Sequence, residues 1–206
     1  MERVPDPPST FIVDPICRMI TAGERLWRIY FRAGPHPTRW NELRAFGPTA
    51  NRFDHHTRPK RIQNRAILYA THGADAVLTA LAEVFQDTRL IDRTRRKPWL
   101  VAFRLARPAR LLDTGSDWPV RAGGNMAINS GSRARARAWS RAIHRDYTDV
   151  EGIWYPSSLT NQSCVALYER ASAALPASPD FHEPLASPAL TAGLSVLADR
   201  LEYRMR

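Results

Sequence analysis

Lysine is nearly missing from this chain. Lys60 and Lys97 are the only two among 30 basic residues, and the other 28 are arginine. Cysteine is scarce as well: Cys17 and Cys164 are too few for a disulfide framework or a four-thiolate zinc site. No stretch approaches the roughly 18–20 consecutive apolar residues that span a bilayer. Residues 1–8 have no apolar h-region, which argues against a signal peptide. Neither a Gly-x-Gly-x-x-Gly nor a Gly-x-x-x-x-Gly-Lys-Ser/Thr loop occurs, so Rossmann and P-loop nucleotide sites are unsupported. A cytoplasmic location is the default expectation.

What is present is enough for a folded unit. The 206 residues are 44% hydrophobic, which suits one globular domain with a real core. The net charge of +10 is carried by guanidinium groups, planar forks that fit phosphate where lysine offers only a point charge. A phosphate-bearing partner gains weight from this, against the plainer reading that an arginine-rich genome writes Arg wherever Lys would serve.

The first 22 residues are proline-rich and weakly periodic, and read as an arm leading to a single domain over 23–206. Strands are expected at 26–30, 66–70, 99–105, 110–113, 152–155 and 164–168. Residues 34–60 form a long loop rich in Pro, His, Asn and Gly, and loops of that length in a compact domain are usually functional. Val77, Leu78, Leu81, Val84 and Phe85 recur at helical spacing, as do Ala138, Trp139, Ala142 and Ile143. A last helix over about 188–202 carries Leu190, Leu194, Leu197 and Leu201, with Ser187-Pro188 favouring its start. There is no internal repeat. Strands and helices without regular βαβ alternation argue for an α+β or mixed α/β domain.

Polar residues interrupt this apolar pattern at particular places. Arg28 sits inside the strand at 26–30, where a buried guanidinium must be paired or face a site. Arg52 lies in the long loop, Tyr69 ends the second strand, Glu83 falls among core residues of a helix, and Ser157-Ser158 follow a strand directly. Each alone has an ordinary structural explanation, such as an ion pair, an exposed helix position or a turn. His55-His56 beside Asp54 could suggest a metal. Adjacent side chains point apart in extended chain, however, and spaced partners are not evident. No metal site is therefore expected, and the two histidines read as loop hydrogen-bonders or substrate contacts.

Taken in order, Leu26-Trp27-Arg28-Ile29-Tyr30, Asn51-Arg52-Phe53-Asp54, Ile67-Leu68-Tyr69-Ala70, Thr79-Ala80-Leu81-Ala82-Glu83-Val84-Phe85 and Gly152-Ile153-Trp154-Tyr155-Pro156-Ser157 resemble the RES-domain family, named for an arginine, a glutamate and a serine. The resemblance runs from residue 26 to about 168. Two departures stand out. Many members carry a Gly-Gly-Arg-Trp-Asn-Pro loop, for which Arg39-Trp40-Asn41 is a rival match to the stretch at Arg52. The interval from Tyr69 to Glu83 is also slightly long.

The resemblance implies an ADP-ribosyltransferase-like fold, a mixed β-sheet core flanked by helices. It implies NAD+ as substrate, cleaved at the nicotinamide N-glycosidic bond, with inorganic phosphate as co-substrate and ADP-ribose 1″-phosphate as product. It also implies a toxin neutralised by an Xre-type antitoxin, and a possible homodimer. Glu83 would stabilise the oxocarbenium-like state. Arg28 and Arg52 would hold the pyrophosphate and phosphate, while Tyr30, Tyr69 and Ser157 would orient the ring and phosphate; Arg28 and Ser157 count with Glu83 as catalytic. The alternatives are ADP-ribose transfer to a protein, and a nucleic-acid-binding protein that uses the basic runs Arg93-Thr94-Arg95-Arg96-Lys97 and Arg133-Ala134-Arg135-Ala136-Arg137. Arg133, Arg137 and Arg141 would line one helix face.

Overall fold

The computed structural model describes residues 4–206. Eleven strands and four α-helices follow one another as β1 (Cys17–Ile20), β2 (Arg25–Phe31), β3 (Arg44–Gly47), β4 (Arg61–His72), α1 (Ala76–Phe85), β5 (Leu90–Ile91), β6 (Pro98–Arg104), β7 (Ala109–Asp113), α2 (Trp118–Arg121), α3 (Arg133–Asp146), β8 (Gly152–Pro156), β9 (Ser163–Tyr168), β10 (Phe181–Pro184), α4 (Thr191–Leu201) and β11 (Arg204–Met205). Nine strands form one sheet in the order β1-β7-β8-β9-β4-β2-β6-β10, with β3 also on β4; β5 and β11 make a separate parallel pair. Only β7 and β8 run parallel within the large sheet. Their connection carries α2 and α3, as a parallel crossover requires. The fold is α+β with a mixed sheet, as expected.

The sheet forks at β4. Its last residues, Thr71 and His72, pair with β2, while Arg61, Ile62 and Ile67 pair with β3 on the same edge, and β9 takes the opposite edge. Side chains alternate along each strand, so the two faces build separate cores. Ile67, Ile153, Ala166 and Tyr168 meet Trp139 and Ile143 of α3. Leu68, Val165 and Leu167 point the other way, with Leu26, Phe103 and Tyr30. Trp27 and Ile29 of β2 instead pack on Leu81 and Phe85 of α1, joined by Leu194 of α4.

Both main helices follow from their sequences. In α1 the buried run Leu78 to Ala82 plus Phe85 leaves Glu83 as the polar interruption. In α3, Ala136, Trp139, Ala142 and Ile143 are buried, and the Ser132 hydroxyl caps the first turn by accepting from Arg135 N, a favoured N-cap arrangement.

One expectation is revised. The proline-rich segment read as an arm is held against the domain: Cys17–Ile20 is an edge strand antiparallel to β7, and Val4 and Phe11 are buried. Phe11 sits 5.2–5.6 Å from the rings of Trp118, Trp139 and Tyr147. Its anchors are isolated apolar residues among prolines, a pattern with no period to detect. The long loop also contains one short strand, β3.

Candidate active site

Glu83 and Ser157 meet across α1 and the turn after β8. The Ser157 hydroxyl donates to Glu83 Oε1 at 2.6 Å, and its oxygen accepts from Leu159 N and Thr160 N at 3.1 and 3.3 Å. Those two amides leave the hydroxyl proton directed at the carboxylate. One helical turn earlier on α1, Thr79 Oγ1 bonds Thr160 Oγ1 at 2.9 Å, so residues i and i+4 of one helix face clamp the same turn. Ser157 is buried and Glu83 half-buried. Glu83 Oε2 makes no hydrogen bond among the described residues, which leaves one carboxylate oxygen for a ligand hydroxyl.

Arg52 faces this pair from the long loop. Its Nη1 donates to Gly131 O at 2.7 Å and Ile128 O at 3.5 Å, and Nη2 to Ser130 O at 3.4 Å. The carbonyl cradle is itself fixed: buried Asn129 bonds Thr114 through both side-chain atoms, at 2.8 Å each. Gly131 fits there because a Cβ would come within 2.8 Å of Ala127 O. Burial lowers the Arg52 pKa, the nearby Arg133 charge lowers it further, and Glu83 opposes both. Arg133 donates to Gln86 on α1 at 2.8 Å, so α3 brings a second guanidinium to this corner. The sequence places Arg133 in a basic run and on one helix face with Arg137 and Arg141. Helical spacing set its face, but the partner of that face depends on the tertiary fold.

Tyr155 lies in the field of Glu83 and Arg52, and Tyr69 stands next to it, closer to Asp54 and Arg44. Tyr155 and Tyr69 are both raised well above the usual phenol range, by burial first. Glu83 and Arg52 act on Tyr155 in opposite directions. The Tyr69 hydroxyl is buried with no hydrogen-bond partner, an uncommon state for such a group. Phe53, fully buried, lies 4.7 Å from the Tyr155 ring and ties the Arg52 loop down.

Arg28 and Tyr30 lie elsewhere. They share the face of β2 opposite the one α1 covers, and no contact joins them to Glu83, Ser157 or Arg52 among the described residues. Arg28 Nη1 donates to Trp40 O at 2.8 Å, while its buried Nε has no partner. Burial holds its pKa down to about 10, against the opposing pull of Tyr30 and Glu42. No carboxylate among the described residues pairs with it. The Tyr30 hydroxyl is engaged by His182 Nε2 at 2.6 Å, a residue that the sequence reading did not single out. The rival loop arginine, Arg39, is exposed, whereas Arg52 is half-buried and in electrostatic reach of Glu83.

His55 and His56 are fully buried, so both are internal hydrogen-bonders rather than surface contacts. His56 Nδ1 bonds Asp54 Oδ1 at 2.6 Å. His55 Nε2 and His144 Nε2 bond the two oxygens of Glu169 at 3.1 and 2.5 Å. The sequence suggested no spaced partners for His55; the fold supplies them from α3 and the turn after β9, and the nearest ligand-type atoms of the three lie within 4.8 Å of one another. As placed, each imidazole spends Nε2 on the carboxylate, and His55 Nδ1 is buried without the hydrogen-bond acceptor that metal-bound histidines normally keep on their other ring nitrogen.

These networks make the fold acid-sensitive. Burial holds His55 down to about 4 from 6.5, against Glu169. Burial works to raise Asp54 and Glu169, but the hydrogen bonds from their histidine and other partners outweigh it and keep both carboxyls far below their ordinary range. Below pH 6.5 the unfolded chain therefore takes up a proton at His55 that the folded chain refuses. Near pH 4 it takes up two more at the carboxyls. Stability then falls as pH is lowered from 7 toward 4. The melting temperature is expected to drop by several degrees over that range, since each kcal/mol moves it by about 2–4 °C in a chain of this size. A flat profile in a pH series of thermal melts would refute this.

The RES domain family matches residues 25–187. No curated protein sequence matches significantly. Among solved structures, a chain from the crystal structure of the M. tuberculosis MbcT–MbcA toxin–antitoxin complex is similar to this one in fold, with a TM-score of 0.55, at 15% identity, over 86% of this chain and 92% of that one. No helix is long and apolar enough to cross a membrane among the described residues. With the family match spanning β2 to the turn before α4, the chain belongs to the RES domain family.

Proposed function

We propose that this protein cleaves the N-glycosidic bond between nicotinamide and ribose in NAD+, using phosphate as acceptor, as the toxin of a toxin–antitoxin pair. The observation that carries the reading is a half-buried carboxylate, Glu83, held by Ser157 at 2.6 Å with one oxygen uncommitted, in the field of Arg52. A carboxylate so placed is suited to hold a ribose hydroxyl and to stabilise positive charge developing at the anomeric carbon.

In the reaction, the C1″–N bond breaks and its electron pair leaves with nicotinamide, which departs neutral. A phosphate oxygen then bonds to C1″, and the proton of the phosphate passes to solvent. Nicotinamide is a good leaving group, so no dedicated general acid is needed, and positioning supplies much of the acceleration. Arg52 is suited to the phosphate groups because its carbonyl cradle fixes the fork without neutralising it.

The similarity in fold to a chain from a toxin–antitoxin complex supports the toxin reading and an antitoxin protein as partner. A basic surface favours an acidic one. The experiment is NAD+ turnover by the purified full chain with and without phosphate, with mass analysis of products. Nicotinamide and ADP-ribose 1″-phosphate are expected, at a rate that rises with phosphate. Equal rates in phosphate-free buffer would reject phosphorolysis, and ADP-ribose found on added protein would favour transferase chemistry. No NAD+ consumption under either condition would reject the reading outright.

A further inference from the structure

Alongside the Glu83 site, the fold gathers arginines at a second place. A cleft of about 410 Å³ opens between the 48–50 loop and the outer face of α3, lined by Thr49, Ala50, Arg58, Ala134, Arg137 and Arg141. Arg137 Nη1 donates to Ala50 O at 3.2 Å. Arg58 and Arg141 make no hydrogen bond or ion pair among the described residues. Asp54, the carboxylate behind the loop, is already committed to Arg44, Thr49 and His56.

Several exposed arginines among the described residues have acidic partners. Arg18, Arg107, Arg145, Arg200 and Arg206 each pair with a carboxylate. The cleft differs, because three guanidiniums converge on one concavity that no acidic residue lines. Like charges held together cost free energy unless a counter-anion offsets them. Arg141 shows this cost: burial lowers its pKa, as do the charges of Arg137, Arg65 and Arg58, with Asp54 behind the loop opposing them in part.

We propose that the cleft is a binding site for a small anion carrying two or more phosphate groups, held by Arg58, Arg137 and Arg141. Two phosphate groups carry roughly three negative charges or more near neutral pH, which matches three guanidiniums. The guanidinium fork also takes phosphate oxygens in bidentate fashion. The enclosing 48–50 loop favours a compact ligand over an extended strand. The site goes beyond NAD+ cleavage and is testable without it.

The probe is sodium pyrophosphate, titrated calorimetrically into the full chain at ionic strength fixed with NaCl. Saturable 1:1 binding is expected. It should weaken at least tenfold in the Arg58→Gln/Arg141→Gln double variant and persist in Arg52→Ala. Removing mutually repelling charges should leave the unliganded melting temperature of the double variant unchanged or higher. Ala134→Glu, an exposed position in the first turn of α3, keeps every arginine and fills the cleft with a competing carboxylate, so it should weaken binding as well. Absence of saturable binding would overturn the proposal, as would parental affinity in both cleft variants, or loss confined to Arg52→Ala. Affinity for single-stranded oligonucleotides that grows with length, with a steep inverse salt slope, would replace it with nucleic-acid binding.

Discussion

Replacing Glu83 with glutamine is expected to lower the rate of nicotinamide release from NAD+ on the order of 100- to 1,000-fold, the scale of removing one group aimed at transition-state charge. The substitution keeps the side-chain volume, and the amide oxygen still accepts from the Ser157 hydroxyl, so the contact at 2.6 Å survives in neutral form. What is lost is the negative charge that the proposed mechanism sets beside the anomeric carbon. That charge matters more as the oxocarbenium-like state forms than in the bound substrate, so kcat should fall with little change in KM. Ser157→Ala should cost less, because it removes the group that orients the carboxylate but not the carboxylate. The double variant should be no slower than Glu83→Gln alone, as expected for two residues that act as a unit. Steady-state nicotinamide release, checked against melts that stay within a few degrees of the parent, reads all three. Parental kcat in Glu83→Gln would remove the centre of the mechanism.

The helix that carries Glu83 was legible because its apolar spacing is regular and Glu83 breaks it. Five of the large sheet's nine strands, β2, β6, β7, β8 and β9, match the expected spans to within about a residue, since they are apolar runs bounded by turn residues. The outer strands β1, β3 and β10 were not legible: Cys17–Ile20, Arg44–Gly47 and Phe181–Pro184 are short and mostly half-exposed, and pairing with a distant strand, rather than local preference, makes them extended. The end of β4 nearest β3 was missed for the same reason, as Arg61–Asn64 reads as polar loop. In the site, the residue types were visible but their grouping was not. Glu83 and Ser157 meet, with Arg52 in electrostatic reach of Glu83, while Arg28 and Tyr30 fall on the face of β2 away from α1 by strand parity, which no list of motifs in order conveys. Arg133 and His182 are contributed by elements whose packing partners lie 47 and 152 residues away.

The buried histidine–carboxylate networks explain how an irregular loop holds a charged side chain in place. Residues 48–60 have no regular backbone ladder, so their polar groups must be satisfied from outside. Asp54 does much of this. It accepts from Arg44 at 2.9 Å, from Thr49 N and Oγ1 at 2.7 and 2.5 Å, and from His56 N and Nδ1 at 3.0 and 2.6 Å. Gly47 lets the His56 ring close over the hub, since a Cβ there would come within 2.4 Å of it. On the other side of Asp54, the Phe53 carbonyl accepts from Ser140 of α3 at 2.7 Å. Arg52 is the next residue along the chain, and its direction is set by these two anchors.

Asp54→Ala should therefore be the most destabilising single change among the polar residues. It leaves the half-buried Arg44 guanidinium, the buried His56 ring and two backbone amides without their acceptor. Removing one partner of a buried charge pair costs about 3–5 kcal/mol, and the melting temperature of a chain this size should fall by about 6–20 °C. Asp54→Asn keeps the shape and one acceptor oxygen but cannot serve Arg44 and His56 together, so it should fall between the parent and Asp54→Ala. The two substitutions should also separate stability from function. Where the protein remains folded, loosening Asp54 frees the Arg52 loop, so KM for NAD+ should rise more than kcat falls, the reverse of the Glu83→Gln pattern. Thermal melts and steady-state kinetics on the same preparations test both halves. A melting temperature for Asp54→Ala within about 2 °C of the parent, less than the shift for 1 kcal/mol, would show that the loop is held by its apolar anchor Phe53 and not by this carboxylate.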